Sequence, residues 1–125
     1  MTAELARRLA KVAPSRFEFV NTNEKRPECW GLYFDLFGQD VGDWSFGFAS
    51  NEGVLDEQII YPAAWCLQEM RKRVDSLEVA DARQEHMWLM NEIFIQPIYR
   101  LTPLRQLELY VEWRERFGQE GEGKC

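Results

Sequence analysis

The sequence contains one histidine and three cysteines, and this scarcity excludes most catalytic and metal-binding chemistries. The cysteines, Cys29, Cys66 and Cys125, are odd in number and widely spaced, so they form neither a disulfide framework nor a CxxC pair. Free thiols are typical of a reducing compartment, and we therefore expect a cytoplasmic protein. His86 belongs to no HExxH or ExxH motif, and the chain has no glycine-rich phosphate loop and no GxSxG sequence. We expect no catalytic residue, no metal and no cofactor.

Long apolar runs are also missing. No stretch approaches the roughly 20 residues that cross a bilayer, and charges interrupt residues 1–12, so we expect neither a membrane span nor a signal peptide. The polar, glycine-rich residues 119–125 predict a flexible tail. Residues 1–118 are enough for one domain and too few for two, so we expect a single domain.

Acidic residues outnumber basic ones by 21 to 15, which gives a formal net charge of −6. Proteins that bind nucleic acid or an anionic membrane need a cationic face, so this balance disfavours both kinds of partner. Hydrophobic residues make up 46% of the chain and aromatic residues 14%, a composition that argues against intrinsic disorder. We therefore expect a globular acidic protein.

The first half of the chain shows one helical segment and then three alternating segments. Residues 2–12 carry apolar residues at helical spacing, with Thr2 at the N-terminal cap position. Apolar and polar residues alternate in 16–21, 29–36 and 43–49, which predicts an antiparallel meander of three strands. One face of this sheet is rich in aromatic residues, and we expect helices to cover it.

The second half predicts three helices. In the first, apolar residues recur at spacings of three and four: Ile59, Ala63, Cys66, Leu67, Met70, Val74 and Leu77. The second, at 81–95, is apolar nearly all round, which implies deep burial or a partner. The last has Thr102 as its cap, Pro103 at its first position and Gly118 just beyond its end. The predicted fold is α+β in the order α-β-β-β-α-α-α, with the last three helices packed on one face of the sheet.

The order α-β-β-β-α resembles that of the double-stranded RNA-binding domain. That family relies on a lysine cluster at the start of its second helix, whereas the matching residues here, 56–61, are acidic and apolar. The resemblance is one of element order, which does not carry function.

Charge is distributed unevenly along the chain. Residues 1–26 contain six bases and three acids, and residues 71–125 contain nine bases and ten acids, whereas residues 27–70 contain eight acids and no lysine or arginine. If the loops of this acidic segment meet at one end of the sheet, they form an anionic patch that steers association with a basic surface. We predict a partner-binding site formed by Asp35, Asp40, Asp43, Glu52, Asp56 and Glu57. The alternative is a solvated acidic edge that serves only solubility.

Trp113 is the one aromatic residue that we add to the predicted partner contacts, as a candidate anchor elsewhere on the surface. It lies among charged residues, and exposed tryptophans are common anchors of protein interfaces. The sequence therefore predicts a small non-enzymatic interaction module, such as an inhibitor, antitoxin, immunity protein or phage-encoded antagonist, that binds a basic surface of a partner protein.

Two other functions remain open from the sequence. The apolar helix at 81–95 is compatible with a structural protein that assembles as a homo-oligomer. The aromatic layer is compatible with a small enzyme or ligand-binding domain that uses Cys29 or His86 as its reactive group.

Overall fold

The fold comes from a computed structural model that describes residues 1–21, 23–26, 28–35, 59–77, 82–97 and 100–117, and the backbone of 46–49. It confirms the α+β class, with α-helices and an antiparallel sheet. Backbone contacts divide the chain into two compact units, Met1–Pro62, which holds the sheet, and Ala63–Cys125, whose described secondary structure is helical. Packing of the later helices on the sheet, within one domain, stays a prediction.

Helix α1 (Ala3–Val12) begins one residue later than predicted. Thr2 has an extended backbone, and its Oγ1 accepts a hydrogen bond from the Leu5 N–H at 3.1 Å. This bond satisfies one of the first N–H groups of the helix, which have no partner within the helix itself. The buried face of α1 consists of Leu5, Ala6 and Leu9.

An antiparallel sheet follows α1. Strand β1 (Phe17–Asn21) pairs with β2 (Trp30–Phe34), and Phe17 lies opposite Phe34. The backbone of Phe46–Ala49 forms β3, which pairs with the other edge of β2 in the order β1-β2-β3. Helix α1 packs against β1, so helix and sheet share one core.

Aromatic rings fill the interior of this first unit. Phe17 and Phe34 are almost completely buried, and their ring centroids lie 5.0 Å apart. Trp30 is also buried and stacks on Phe19 at a centroid distance of 5.7 Å. The residues that alternation places on one face of β2, Trp30, Leu32 and Phe34, are all buried, so this part of the predicted aromatic layer is confirmed.

Helix α2 (Ile60–Ser76) carries the predicted apolar stripe. Ala63, Cys66 and Met70 are buried, which confirms the centre of that stripe. Leu67, Val74 and Leu77 are half-buried. A stripe at this spacing buries its central row most completely, because flanking positions on a helix are rotated away from the packed face.

The predicted helix at 81–95 consists of two different segments. Helix α3 covers Arg83–Leu89, and a π-helical turn, called the π turn below, covers Met90–Phe94. The π turn is closed by a hydrogen bond from the Ile95 N–H to the Met90 carbonyl, five residues back, at 3.0 Å.

Of the two alternatives expected for this segment, deep burial or a partner, deep burial on all sides is contradicted. Leu89 and Ile93 are buried, but Met87, Phe94 and Ile95 are exposed. Neighbouring helices pack against one face of the segment. The apolar side chains on its other face are exposed at the surface.

Helix α4 (Pro103–Phe117) begins as predicted. The Thr102 Oγ1 accepts a hydrogen bond from the Arg105 N–H at 3.3 Å, and the Thr102 carbonyl accepts one from the Gln106 N–H at 2.9 Å. Gly118, the predicted stop, lies outside the described residues. The buried side chains of α4 are Leu107, Leu109, Tyr110, Val111 and Trp113.

The capping hydrogen bond of α1 leads to a test of local stability. We expect Thr2→Ala to lower the free energy of unfolding by about 1 kcal/mol, because the Leu5 N–H loses its acceptor. Thr2→Ser keeps a hydroxyl oxygen and should stay close to wild type. Urea denaturation followed by circular dichroism measures both variants, and an equal loss in the two would contradict the capping role.

Candidate functional site

Glu85 is a buried carboxylate that joins three helices of the Ala63–Cys125 unit. It lies on α3 and is only 6% exposed. Arg73 of α2 donates two hydrogen bonds to it, from Nε to Oε2 and from Nη2 to Oε1, both at 2.9 Å. Trp113 of α4 donates a third, from Nε1 to Oε2 at 2.8 Å. Such two-pronged pairing of arginine with carboxylate fixes both distance and orientation.

The partners of Glu85 also keep it ionised. Burial opposes ionisation and on its own raises the pKa of a carboxyl group. The hydrogen bonds from Arg73 and Trp113 and the charge of Arg73 outweigh this burial, so the pKa of Glu85 lies below its ordinary value. A general base needs a pKa near the working pH and a free oxygen, and neither condition is met here. The arrangement is therefore a structural ion pair.

The prediction that Trp113 is an exposed anchor is wrong. The residue is 5% exposed, and its ring meets that of Tyr110 edge-on at a centroid distance of 5.6 Å. Residues three and four apart share a helical face, so Leu109, Tyr110 and Trp113 turn inward together, whereas Glu112 between them is only half-buried. That spacing is the sequence signal for burial, and it outweighs the charged neighbours in the chain.

Of the six acids predicted to bind a partner, the structure describes Asp35. This residue directly follows β2 and is 4% exposed, so the prediction of a surface contact there is wrong. The side chain of Arg16 contacts the backbone at this position, and its Nη1 donates a hydrogen bond to the Asp35 carbonyl oxygen at 3.1 Å. The other five lie outside the described residues: Asp40, Asp43, Glu52, Asp56 and Glu57. Their convergence into one patch stays a prediction.

Cys66 lies on the packed face of α2, and its thiol is buried. Burial raises the pKa of Cys66 well above its ordinary value, and the charge of Glu69 acts in the same direction. A cysteine nucleophile needs an accessible thiolate, so Cys66 is unsuited to that role. Cys29 and His86 are half-buried, and Cys125 lies outside the described residues.

No three side chains of His, Cys, Asp or Glu within the described ranges are placed to hold a metal ion. His86 lies on α3 beside Glu85 in sequence, and the carboxylate of Glu85 is engaged by Arg73 and Trp113. That carboxylate is therefore not available as a second ligand for a metal bound at His86.

A cleft of about 440 Å³ opens in the helical unit. Its lining residues are Glu92, Gln96, Arg100, Leu101, Arg105 and Leu109. Arg105 lies 3.7 Å from the carboxylate of Glu92, 3.3 Å from that of Glu108 and 3.6 Å from that of Glu112. These three carboxylates compensate its charge, so Arg105 offers little attraction to an anionic ligand in the cleft.

Among the described residues of this unit, the exposed large apolar side chains lie on α3, in the π turn and directly after it. Met87 is 57% exposed, Phe94 43% and Ile95 68%. The guanidinium carbon of Arg71, on α2, lies 5.8 Å from the centroid of the Phe94 ring. The sequence marks this helix as apolar, but its composition does not indicate which of its residues reach the surface.

Comparison with models of protein families, with curated proteins and with solved structures finds no match for this chain. Among the helices of the described residues, none is long and apolar enough to cross a membrane.

The Glu85 ion pair makes stability depend on pH. We expect Glu85→Gln to lower the free energy of unfolding by roughly 1–3 kcal/mol near neutral pH, because Arg73 loses its ionised partner at a buried position. The pKa of Glu85 is lower in the folded than in the unfolded state. The ionised carboxylate therefore stabilises the fold fully at pH values above its unfolded pKa of about 4.3. This stabilisation is lost as the pH falls through the folded pKa. The gap between wild type and variant should therefore shrink below about pH 4.

Glu28→Gln is the control for this experiment, since the Glu28–Arg26 pair is exposed on both sides. Exposed pairs contribute about 0–1 kcal/mol, so we expect a small effect at neutral pH. Urea denaturation of both variants across the acidic range gives the comparison. A Glu85→Gln loss that stays constant down to about pH 3 would show that the charge of Glu85 is not what stabilises the fold.

Burial of Cys66 predicts a difference in thiol reactivity. In the native protein we expect iodoacetamide to modify Cys29 faster than Cys66, because Cys66 is both inaccessible and held as a neutral thiol. Unfolding in urea should remove the difference. Peptide mapping by mass spectrometry follows each cysteine separately, and equal native rates would contradict the packing described here for α2.

Proposed function

We propose that the chain is a small non-enzymatic interaction module whose acidic middle segment binds a basic surface of a partner protein. An antagonist that covers the nucleic-acid-binding surface of another protein fits this description, as immunity proteins, antitoxins and phage-encoded inhibitors do. The observation that carries the proposal is the run of eight acids without a lysine or arginine in residues 27–70.

The described residues narrow the set of acids that contact the partner. Asp35 is buried, and Glu28 and Glu69 already pair with basic neighbours, Glu28 with Arg26 at 2.9 Å and Glu69 with Lys72 at 3.3 Å. The remaining five acids fall within 40–57: Asp40, Asp43, Glu52, Asp56 and Glu57. The proposal therefore assigns partner binding to residues 40–57.

Electrostatics gives this segment a physical role. Charges of one sign that no nearby opposite charge compensates produce a field that extends about one Debye length, roughly 8 Å at physiological salt. A basic partner entering this field is oriented before contact, which raises the rate of association by about 10-fold to 1,000-fold in favourable cases. Mixed-sign segments such as 71–125, with nine bases and ten acids, produce a much weaker field of this kind.

The experiment begins with capture of the native partner by the tagged full-length chain, followed by its identification and purification. Asp40, Asp43 and Glu52 are then replaced together by lysine. We expect the association rate with the purified partner to fall at least about tenfold at low salt, because the steering charge is reversed. The dependence of that rate on ionic strength should fall as well.

The matched control replaces Glu4, Glu18 and Glu24 by lysine, since these three exposed acids change the net charge by the same amount outside the acidic segment. Its association rate should stay near that of wild type. Equal effects of the two triple variants would mean that net charge alone matters, and the binding site proposed at 40–57 would be wrong. A captured partner without a basic surface would also contradict the proposal.

A further inference from the structure

The outward face of α3 and the π turn is apolar. Met87, Phe94 and Ile95 are exposed there, and Asn91 lies exposed between them in sequence. Met87 and Asn91 are four residues apart, and Asn91 and Ile95 are again four apart, so they follow one another along one side of the helix. We call these four residues the α3 ridge.

The inward face of the same segment has a different chemistry. Glu85, Leu89 and Ile93 recur every four residues, and all three are buried. Both acids of the segment are engaged by arginines, Glu85 by Arg73 at 2.9 Å and Glu92 by Arg105 at 3.7 Å. Each of the two acids in residues 83–96 is therefore paired with an arginine, so neither leaves an uncompensated negative charge beside the ridge.

The positive charge remains at the surface. Arg83, at the start of α3, is exposed. Arg71 of α2 lies over the ring of Phe94, and Arg116 of α4 lies over the ring of Trp88, each with its guanidinium carbon 5.8 Å from the ring centroid. Distances below about 6 Å are typical of cation–π contacts. The α3 ridge thus consists of three exposed apolar residues and Asn91, with Arg71 against Phe94 and Arg116 against the neighbouring Trp88.

The π turn coincides with this ridge. It covers Met90–Phe94, and its closing hydrogen bond is donated by the N–H of Ile95, an exposed residue of the ridge. A π turn places one more residue in the turn than an α-helix does. Such turns occur frequently at functional sites.

We propose that the α3 ridge binds a second copy of this chain, and that it packs against an acidic surface of that copy rather than against the second ridge. Apolar side chains on the ridge are the buried anchors of this contact, and Arg71 and Arg116 are its basic rim. The contact goes beyond the partner binding proposed above, because its anchors and its basic rim lie on the helical unit. Its acidic counterpart in the second copy draws on residues 27–70, which include the segment 40–57 proposed there.

Charge complementarity identifies the occupant. The chain has a net charge of −6, and its residues 27–70 carry eight acids without a basic residue, so a second copy supplies the acidic surface that the arginines require. Two ridges facing each other would bring Arg71 and Arg116 of both copies together, and like charges at an interface are strongly unfavourable. A contact between unlike surfaces avoids this repulsion.

Analytical ultracentrifugation of the full chain tests the proposal. We expect the mean mass to rise with concentration between about 1 µM and about 1 mM, the range of weak to moderate association. Replacing Met87 and Ile95 together by serine should raise the dissociation constant about tenfold or more, because two exposed anchors are removed. Ile60→Ser makes the same kind of change at another exposed apolar residue, outside the ridge, and should leave association unchanged.

A second variant tests the role of charge. Arg71 and Arg116 are replaced together by glutamine, which keeps a polar side chain but removes the positive charge. If the ridge meets an acidic surface, this variant associates more weakly than wild type and loses part of the salt dependence. If it associates more strongly, the ridges face each other and the proposal is wrong.

The proposal is also wrong if wild type stays monomeric throughout the concentration range, or if Ile60→Ser weakens association as much as the ridge variant does. Thermal unfolding of each variant confirms that it is folded, since the substituted side chains are exposed in the single chain. Failure here leaves the acidic-segment proposal standing, because neither ridge variant alters residues 40–57.

Discussion

The carboxylate of Glu85 fixes the mutual arrangement of three helices. It receives two hydrogen bonds from Arg73 on α2 and one from Trp113 on α4, so a rotation or slide of any one helix breaks at least one of them. Apolar faces alone tolerate such slides, because hydrophobic burial is not directional. Desolvation offsets much of the Coulomb attraction of a buried ion pair. The directional hydrogen bonds of Glu85 restrict the orientations in which the three helices pack.

The same pairing decides the chemistry of the surface. Because Arg73 holds Glu85 inward and Arg105 holds Glu92, residues 83–96 keep no exposed, unpaired acid on their outer side. Apolar side chains and Arg83 remain there instead. A helix in an acidic protein thus acquires an apolar and basic outer face, which the net charge of the chain does not suggest. The interior ion pairs and the outer ridge are two consequences of one helix orientation.

Local patterns predicted those features that depend on neighbours in sequence. Thr2 and Thr102 cap helices as their positions indicate, and the row of Ala63, Cys66 and Met70 is buried as its spacing indicates. The exposure predicted for Trp113 is wrong because its charged neighbours indicate a surface position, whereas its spacing from Tyr110 indicates burial. The Glu85 ion pair is harder to predict, since its partners lie 12 and 28 residues away and only the packed fold brings them together. The π turn likewise depends on packing, as no local motif marks it.

The two proposed surfaces rest on different physical forces. The acidic segment acts through a field that reaches the partner before contact, so salt and charge reversal change mainly the rate of association. The α3 ridge acts through apolar area that is buried only in the complex, so removal of its anchors changes mainly the rate of dissociation. The arginines beside the ridge link the two proposals, because they favour the binding of an acidic surface to the ridge. Residues 27–70 of the chain itself are such an acidic segment. The chain therefore carries an acidic segment as well as exposed arginines beside the α3 ridge. This pair of opposite charges favours self-association, and the acidic segment alone favours binding of a basic partner.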